Sequence, residues 1–423
     1  MKTIIFSWYR AGLLAMILFL SGVGLAQQSN LQYFRPNNKD GLNVFETSKK
    51  DTTPYSGLKV RVGGDFAIQF QGLSQSNSLQ EDTLVDLASN INLPTANLNL
   101  DVQLADGFRM HLRTYLSSRN HNESWVKGGY IQLDKLDFIH EGFLEEFMNI
   151  ATIRVGMDEI NYGDTHFRRS DNARAIYNPF VGNYIMDAFT TEPFVELTLQ
   201  KSGFLGVLGI TNGRLNQSPL PGDDGIAVYA KLGYDKQLND DLRLRLTGSV
   251  YSSSDKSTRD YLYNGDRAGS RYYNVLEGLN DARVSNFLPR FNPGFGNQTA
   301  FQINPFVKFQ GLEFFGVFEV ASNGDDAIGG SFTHLGAEAI YRFGKNEQLY
   351  VGGRYNTVSG ESADAASTID INRINLGGGW YITKNVLAKL EYVTSQYDGA
   401  GYKGTKFEGA DFNGFVAEAV ISF

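Results

Sequence analysis

The sequence predicts an all-β fold: a transmembrane antiparallel β-barrel of about 16 strands, with long extracellular loops and short periplasmic turns. Three observations predict it. Apolar and polar residues alternate at a period of two along most of the chain, the alternating segments are even in number, and the links between them are long and short in strict turn.

The first 26 residues stand apart from that pattern. Lys2 and Arg10 precede an uncharged apolar run from Ala11 to Ala26 that ends Gly24-Leu25-Ala26, the form of a secretory signal peptide (1–26) cleaved before Gln27. The run is shorter than the ~20 residues a spanning helix needs. Residues 27–57 are polar and read as a periplasmic lead-in, and 58–423 as the barrel.

The first strand, 58–72, places Leu58, Val60, Val62, Phe66, Ile68 and Phe70 on one face and Lys59, Arg61, Asp65 and Gln69 on the other. Strand 90–104 sets Ala96, Leu98, Leu100, Val102 and Leu104 against Asn97, Asn99, Asp101 and Gln103. Strand 108–116 sets Phe108, Met110 and Leu112 against Arg109, His111 and Arg113. Strands 125–135, 150–160 and 192–200 follow. Strand 204–211 alternates poorly, because Leu205 and Val207 lie on one face and Leu208 and Ile210 on the other. After 225–234, strand 242–252 opposes Leu242, Leu244 and Leu246 to Arg243 and Arg245. Strands 299–309, 312–321, 331–342, 349–357 and 370–381 lead to 386–395 and to 414–423, which ends the chain at Phe423.

Numbered in order, the odd links (73–89, 117–124, 161–191, 212–224, 253–298, 322–330, 358–369 and 396–413) hold 154 residues, and the seven even links hold 39. Hairpins closed into a membrane barrel have this asymmetry, whereas a soluble sandwich or propeller has no reason for it. The outlier among the short links, 136–149, has a helix-like apolar spacing and is expected to fold under the barrel. Charges on the apolar faces (Lys127, Lys135, Glu159 and Asp370) occur only toward strand ends, where they are expected to reach the headgroups. A soluble barrel would turn its apolar face inward, and 16 strands enclose more space than side chains fill. Lipid outside and water inside is the consistent arrangement.

Composition excludes other classes. The chain has no cysteine, hence no disulfide scaffold, thiolate metal site or cysteine nucleophile. Its formal charge of −8 argues against nucleic-acid binding. Without the signal segment, 36 basic residues face 46 acidic ones, a net −10.

The alternating C-terminal strand ending in Phe423 resembles the terminal signature of bacterial outer-membrane barrels. The strand count and the long third loop, 161–191, are similar to those of the porins. Within that loop Asn161-Tyr162-Gly163-Asp164-Thr165-His166-Phe167-Arg168-Arg169-Ser170-Asp171-Asn172 resembles a segment of the phosphate-selective porin O/P family. The resemblance implies a loop folded into the barrel as a constriction, contributing Asp164, His166, Arg168, Arg169, Asp171 and Arg174. It also implies a homotrimer in contact with outer-membrane lipid and lipopolysaccharide.

Strand parity places the basic residues Lys59, Arg61, Arg109, Arg113, Arg154, Lys231, Arg243, Arg245, Lys308, Arg342, Arg354, Arg373 and Lys389 on the lumen face. Eleven acids share it: Asp65, Asp101, Asp134, Asp158, Glu192, Glu196, Glu313, Glu319, Glu338, Glu391 and Glu418. A lumen near +2 inside a chain at −10 favours anions, because a water channel with low-dielectric walls focuses the field and the guanidinium fork suits phosphate and carboxylate. The alternative is that interleaved acids pair with these arginines and stiffen the wall. The longest loop, 253–298, carries Arg259, Arg267, Arg271, Arg283 and Arg290 among tyrosines and reads either as a ligand vestibule or as a self-packed surface loop.

No catalytic elbow, phosphate-binding Gly-rich loop or His-Glu-x-x-His motif occurs. The five histidines are dispersed, Gly377-Gly378-Gly379 lies mid-strand, and Asp223-Asp224 and Asp325-Asp326 read as solvated turns. The expectation is a non-enzymatic outer-membrane porin with no cofactor and no metal, passing small hydrophilic solutes and preferring anions such as phosphate. The alternative is a barrel with a plugged lumen whose outer loops bind a nutrient or an extracellular partner.

Overall fold

A computed structural model describes residues 30–79, 83–116, 125–171, 174–213, 225–254, 262–264, 269–281 and 289–423. The signal segment 1–26, Arg259, Arg267, Arg283 and Asp223-Asp224 lie outside the described residues.

Sixteen antiparallel strands close into one barrel: β1 (Lys59–Ser76), β2 (Asn90–Ala105), β3 (Phe108–Leu116), β4 (Trp125–Leu133), β5 (Ala151–Glu159), β6 (Thr191–Lys201), β7 (Phe204–Thr211), β8 (Ala227–Gln237), β9 (Leu242–Ser253), β10 (Gln298–Phe309), β11 (Leu312–Asn323), β12 (Ser331–Phe343), β13 (Leu349–Glu361), β14 (Ile369–Thr383), β15 (Val386–Asp398) and β16 (Asp411–Ser422). Each strand pairs with its sequence neighbours, and β1 closes on β16 with Ile68 opposite Ala419 and Gln69 opposite Glu418, so no sheet edge is left open. Opposite charges meet directly across strands at Arg154–Glu196, Arg354–Glu338 and Lys389–Glu418. A one-residue slip would turn each of these charges toward lipid, so these pairs fix the register together with the apolar outer face.

The outer face is apolar. Val60, Val62, Ile68 and Phe70 point outward while Asp65 and Gln69 of the same strand are buried inside. Two positions depart from simple parity. Between β3 and β4 the register shifts, with Arg113 opposite Gly128 and Thr114 opposite Val126, which leaves Lys127 as the extra residue of a bulge. Lys127 therefore points inward, buried, and donates to Asp171 Oδ2 at 2.7 Å instead of reaching headgroups. Glu159, the last residue of β5, likewise turns inward and accepts from His166 and Arg174.

Link 136–149 is partly helical, with Met148 buried and Phe138 packed on Phe108 at 5.1 Å. Only one helical turn forms, α1 (Glu145–Met148), and Phe138, Ile139, Leu144 and Phe147 stay exposed.

The interior is filled by the chain's own long loops. Val181, Ile185 and Met186 of loop 161–191 join Leu262, Tyr263, Tyr272, Val275 and Leu276 of loop 253–298 in an apolar core that rests on Tyr251, Phe332, Val358, Ile371, Val393 and Phe412 of the wall. This packing explains the weak alternation of β7, whose inward Leu205 and Val207 belong to the core while Leu208 and Ile210 face lipid. The glycine run in β14 makes room for ring packing: a Cβ on Gly379 would lie 2.4 Å from the Tyr350 hydroxyl oxygen.

Candidate functional site

Loop 161–191 crosses the barrel and is fastened to the wall from β8 to β15 by side chains that satisfy its backbone. Val181 N–H donates to Glu391 Oε2 at 2.8 Å and Ile185 N–H to Asn356 Oδ1 at 2.9 Å. On the acceptor side, Lys389 Nζ donates to Ala175 O (2.7 Å), Tyr381 Oη to Ile176 O (2.9 Å), Tyr350 Oη to Pro179 O (3.0 Å) and Arg354 Nη1 to Gly182 O (2.7 Å). A buried loop needs such partners for its peptide groups, and the wall's charged residues supply them. Inside the loop, Arg169 clamps Asp187 with two nitrogens, Nε at 3.1 Å and Nη2 at 2.6 Å.

The loop's entry is an ionic knot. Asp164, fully buried, accepts from Arg245 Nε and Nη2 (both 2.8 Å), Thr247 Oγ1 (2.8 Å) and Lys231 Nζ (3.0 Å). Burial disfavours its charge, but Arg245 and Lys231 outweigh that and hold the carboxyl well below the usual carboxylate range. Arg168 donates to Glu338 Oε1 at 2.6 Å. His166 sits between Glu159 and Asn161, and burial lowers its affinity for a proton.

Residues 31–53, read from sequence as a periplasmic lead-in, lie inside the barrel at the end of the short turns and make one full lap of the wall. Gln32 N–H donates to Gln103 of β2 (3.2 Å), and Asn37 Nδ2 donates to Gly64 O of β1 and Phe423 O (2.8 and 3.2 Å). Lys39 N–H reaches Lys384 O in the β14–β15 turn (2.8 Å), and Asn43 Nδ2 reaches Glu313 of β11 (2.6 Å). Glu46 pairs with Arg245 of β9 (2.8 Å) and Lys231 of β8 (3.5 Å), and Lys49 pairs with Asp134 beyond β4 (2.8 Å). The lap closes on itself where Tyr33 N–H donates to Asp51 and Gln32 Nε2 to Thr53 O (3.0 Å).

This belt and the loop leave a cavity of about 140 Å³ on the β1–β6 side. Arg35, Arg109, Arg113, Arg154 and Arg174 line it against Glu46, Asp101, Glu159 and Glu196, five guanidiniums to four carboxylates, with rings from Phe34, Phe45, Tyr130, Phe167 and Tyr177. The wall arginines are paired: Arg109 with Asp101 (3.0 Å), Arg113 with Asp158 (3.0 Å) and Arg154 with Glu196 (3.3 Å). Arg174 pairs with Glu159. Arg154 and Arg174 are the best exposed of these, each with 19% of its side chain accessible against 6% for Arg113. Arg154 stacks over Tyr130 at 4.2 Å and Arg35 over Tyr177 at 3.8 Å.

The residues singled out from sequence thus separate into groups. Arg109, Arg113, Arg154, His166 and Arg174 meet at the cavity, while Arg61 stands over Phe34 of the belt and Lys59 lies at the rim, its Nζ 3.3 Å from Asn30 O. Arg243, Arg245, Arg354 and Arg373 are spent on holding the belt and the loops. Asp164, Arg168, Arg169 and Asp171 lock loop 161–191 in place. Sequence reasoning missed Arg35, Phe45 and Glu46, which lie in a segment without the period-two pattern of the strands. Among the described residues, no group of three or more His, Asp or Glu side chains is arranged to hold a metal ion.

No protein-family model and no curated protein matches the chain. Solved structures do match. The trimer form of OmpT from Vibrio cholerae aligns at a TM-score of 0.53 and 12% identity, covering 87% of this chain and 100% of that one. The anion-selective porin of Comamonas acidovorans aligns at 0.53 and 11% identity over 86% and 100%. The outer-membrane channel DcaP of Acinetobacter baumannii aligns at 0.52 and 12% identity over 88% and 99%. The fold is that of the outer-membrane porins. At these identities the likeness concerns architecture, and the functional argument rests on the cavity.

Proposed function

We propose that the protein is a porin-type channel of a bacterial outer membrane, passing small hydrophilic solutes along the β1–β6 wall with a preference for anions such as phosphate. One observation carries the reading: the polar cavity between loop 161–191 and that wall, where five arginines oppose four acids. Fixed charge on the walls acts strongly on an ion in a narrow, low-dielectric passage. Arg154 from the wall and Arg174 from the loop, each with 19% of its side chain accessible, are within a solute's reach, and Arg35 of the belt lines the same cavity. The pairing of the wall arginines makes the preference modest, since each neighbouring carboxylate competes with a passing anion. The barrel assembles as a homotrimer, the state in which one OmpT structure was solved, and carries out no chemistry on its solutes.

The test is the reversal potential of the purified protein in a planar bilayer under a KCl gradient. Chloride preference is expected, and Arg154→Ala, which leaves Glu196 uncompensated, moves the potential toward potassium. Potassium preference in the unaltered protein overturns the anion assignment.

A second reading, a plugged barrel that binds a partner through its outer loops, draws support from the apolar core that loop 253–298 forms inside the barrel. Absence of ion current from the folded protein selects it.

A further inference from the structure

We propose that the belt formed by residues 31–53 is the second jaw of the constriction, setting together with loop 161–191 the size of solute that passes; this rests on the channel reading above. Three observations carry it. The belt circles the inside of the barrel and closes on itself, so everything that leaves through the short-turn end crosses its plane. It is also joined to the loop: Arg35 Nη2 donates to Phe167 O at 3.2 Å, Asn161 Nδ2 donates to Glu46 Oε1 at 3.1 Å, and the Phe45 and Phe167 rings meet edge to face at 5.5 Å. Finally, the belt turns Phe34 and Arg35 into the cavity, where they occupy cross-section without belonging to the wall.

The belt's anchors are charge-assisted bonds to buried wall residues, with Glu46 on Arg245 and Lys49 on Asp134. A segment held this way keeps its shape while a solute passes and acts as a fixed filter. Its side chains rather than those of the strands then decide the narrowest width, because a 16-strand wall by itself encloses a wide aqueous channel.

The experiment compares three proteins in planar bilayers and in liposome-swelling assays with sugars of increasing size. They are the full chain, the full chain with Phe34→Ala and Arg35→Ala, and a chain lacking residues 30–53. Folding is checked by heat-modifiable mobility on gels. The double substitution leaves the anchors at Asn37, Asn43, Glu46 and Lys49 in place, so it decides the matter even if the deletion fails to fold. Single-channel conductance is expected to rise at least about twofold in the deletion and by less in the double variant, with larger sugars admitted in the same order. Current from the deletion but none from the full chain also supports the proposal, with the belt closing the mouth outright. Equal conductance and size cut-off in all folded proteins overturns the belt's role and leaves the channel reading intact. No current from any folded protein overturns the channel reading and the belt proposal with it.

Discussion

Replacing Asp164 by Asn strikes the point where loop 161–191 enters the barrel. Both carboxylate oxygens are engaged: Oδ1 by Arg245 Nη2 and Lys231 Nζ, Oδ2 by Arg245 Nε and Thr247 Oγ1. An amide has one oxygen to offer. In either orientation its NH₂ group faces a guanidinium N–H that cannot become an acceptor. The substitution also leaves Lys231 and Arg245, both buried, with Glu46 as their main counter-charge and Asp235 at 3.0 Å from Arg245 as a more exposed one. Removing one partner from a buried ionic cluster costs 3–5 kcal/mol, and the two remaining acids place this case near about 3 kcal/mol. Urea unfolding in lipid vesicles, followed by the fluorescence of Trp380 on the lipid face, measures it. A loss below about 1 kcal/mol would mean that the apolar core, and not the ionic knot, holds the loop, and would refute the reasoning.

Other outcomes follow from the same contacts. Burial opposes the charge of Glu46, yet Arg245 and Lys231 bring its carboxyl down to about 2, below the ordinary 4.5. A depressed folded value means stability present above the unfolded value and lost as pH falls through the folded one. Acidification from pH 5 to pH 2 therefore removes about 3 kcal/mol that Glu46→Gln has already forfeited, and parallel stability-versus-pH curves for the two proteins would contradict this. A Cβ on Gly182 would lie 2.0 Å from the Tyr272 hydroxyl and 2.6 Å from its ring carbon Cζ, at the crossing of the two inner loops. Gly182→Ala is expected to cost about 1–3 kcal/mol in the same unfolding assay, and an unchanged midpoint would show that Tyr272 is free to move.

Much of the architecture was legible in the chain because a membrane barrel constrains it residue by residue. The lipid-facing side chains are predominantly apolar, so Leu58 through Phe70 shows which residues face out, and hairpins with short turns leave only one topology. Local irregularities were not legible. Nothing in Trp125-Val126-Lys127-Gly128 announces the bulge that turns Lys127 inward, since a bulge depends on the register of the neighbouring strand. The poor alternation of β7 was visible, but its cause lies in loops distant in sequence.

The candidate site divides in the same way. Strand parity assigns a side chain to the lumen; it does not say whether that side chain meets water, a partner or a loop. Arg154 and Arg354 are equivalent by pattern, each inward and opposite a glutamate. In the folded protein Arg154 lines the cavity, while Arg354 is buried and spends its donors on Glu338, Asn178 and Gly182 O. The excess of positive charge counted along the strands is therefore mostly consumed in holding loop 161–191 and the belt. Sequence alone determined the barrel, because a period of two and a lipid surroundings act on each strand locally. Tertiary structure decided where space remains inside it, because burying loops 161–191 and 253–298 and residues 31–53 requires partners for their peptide groups, and those partners come from strands brought together only by barrel closure.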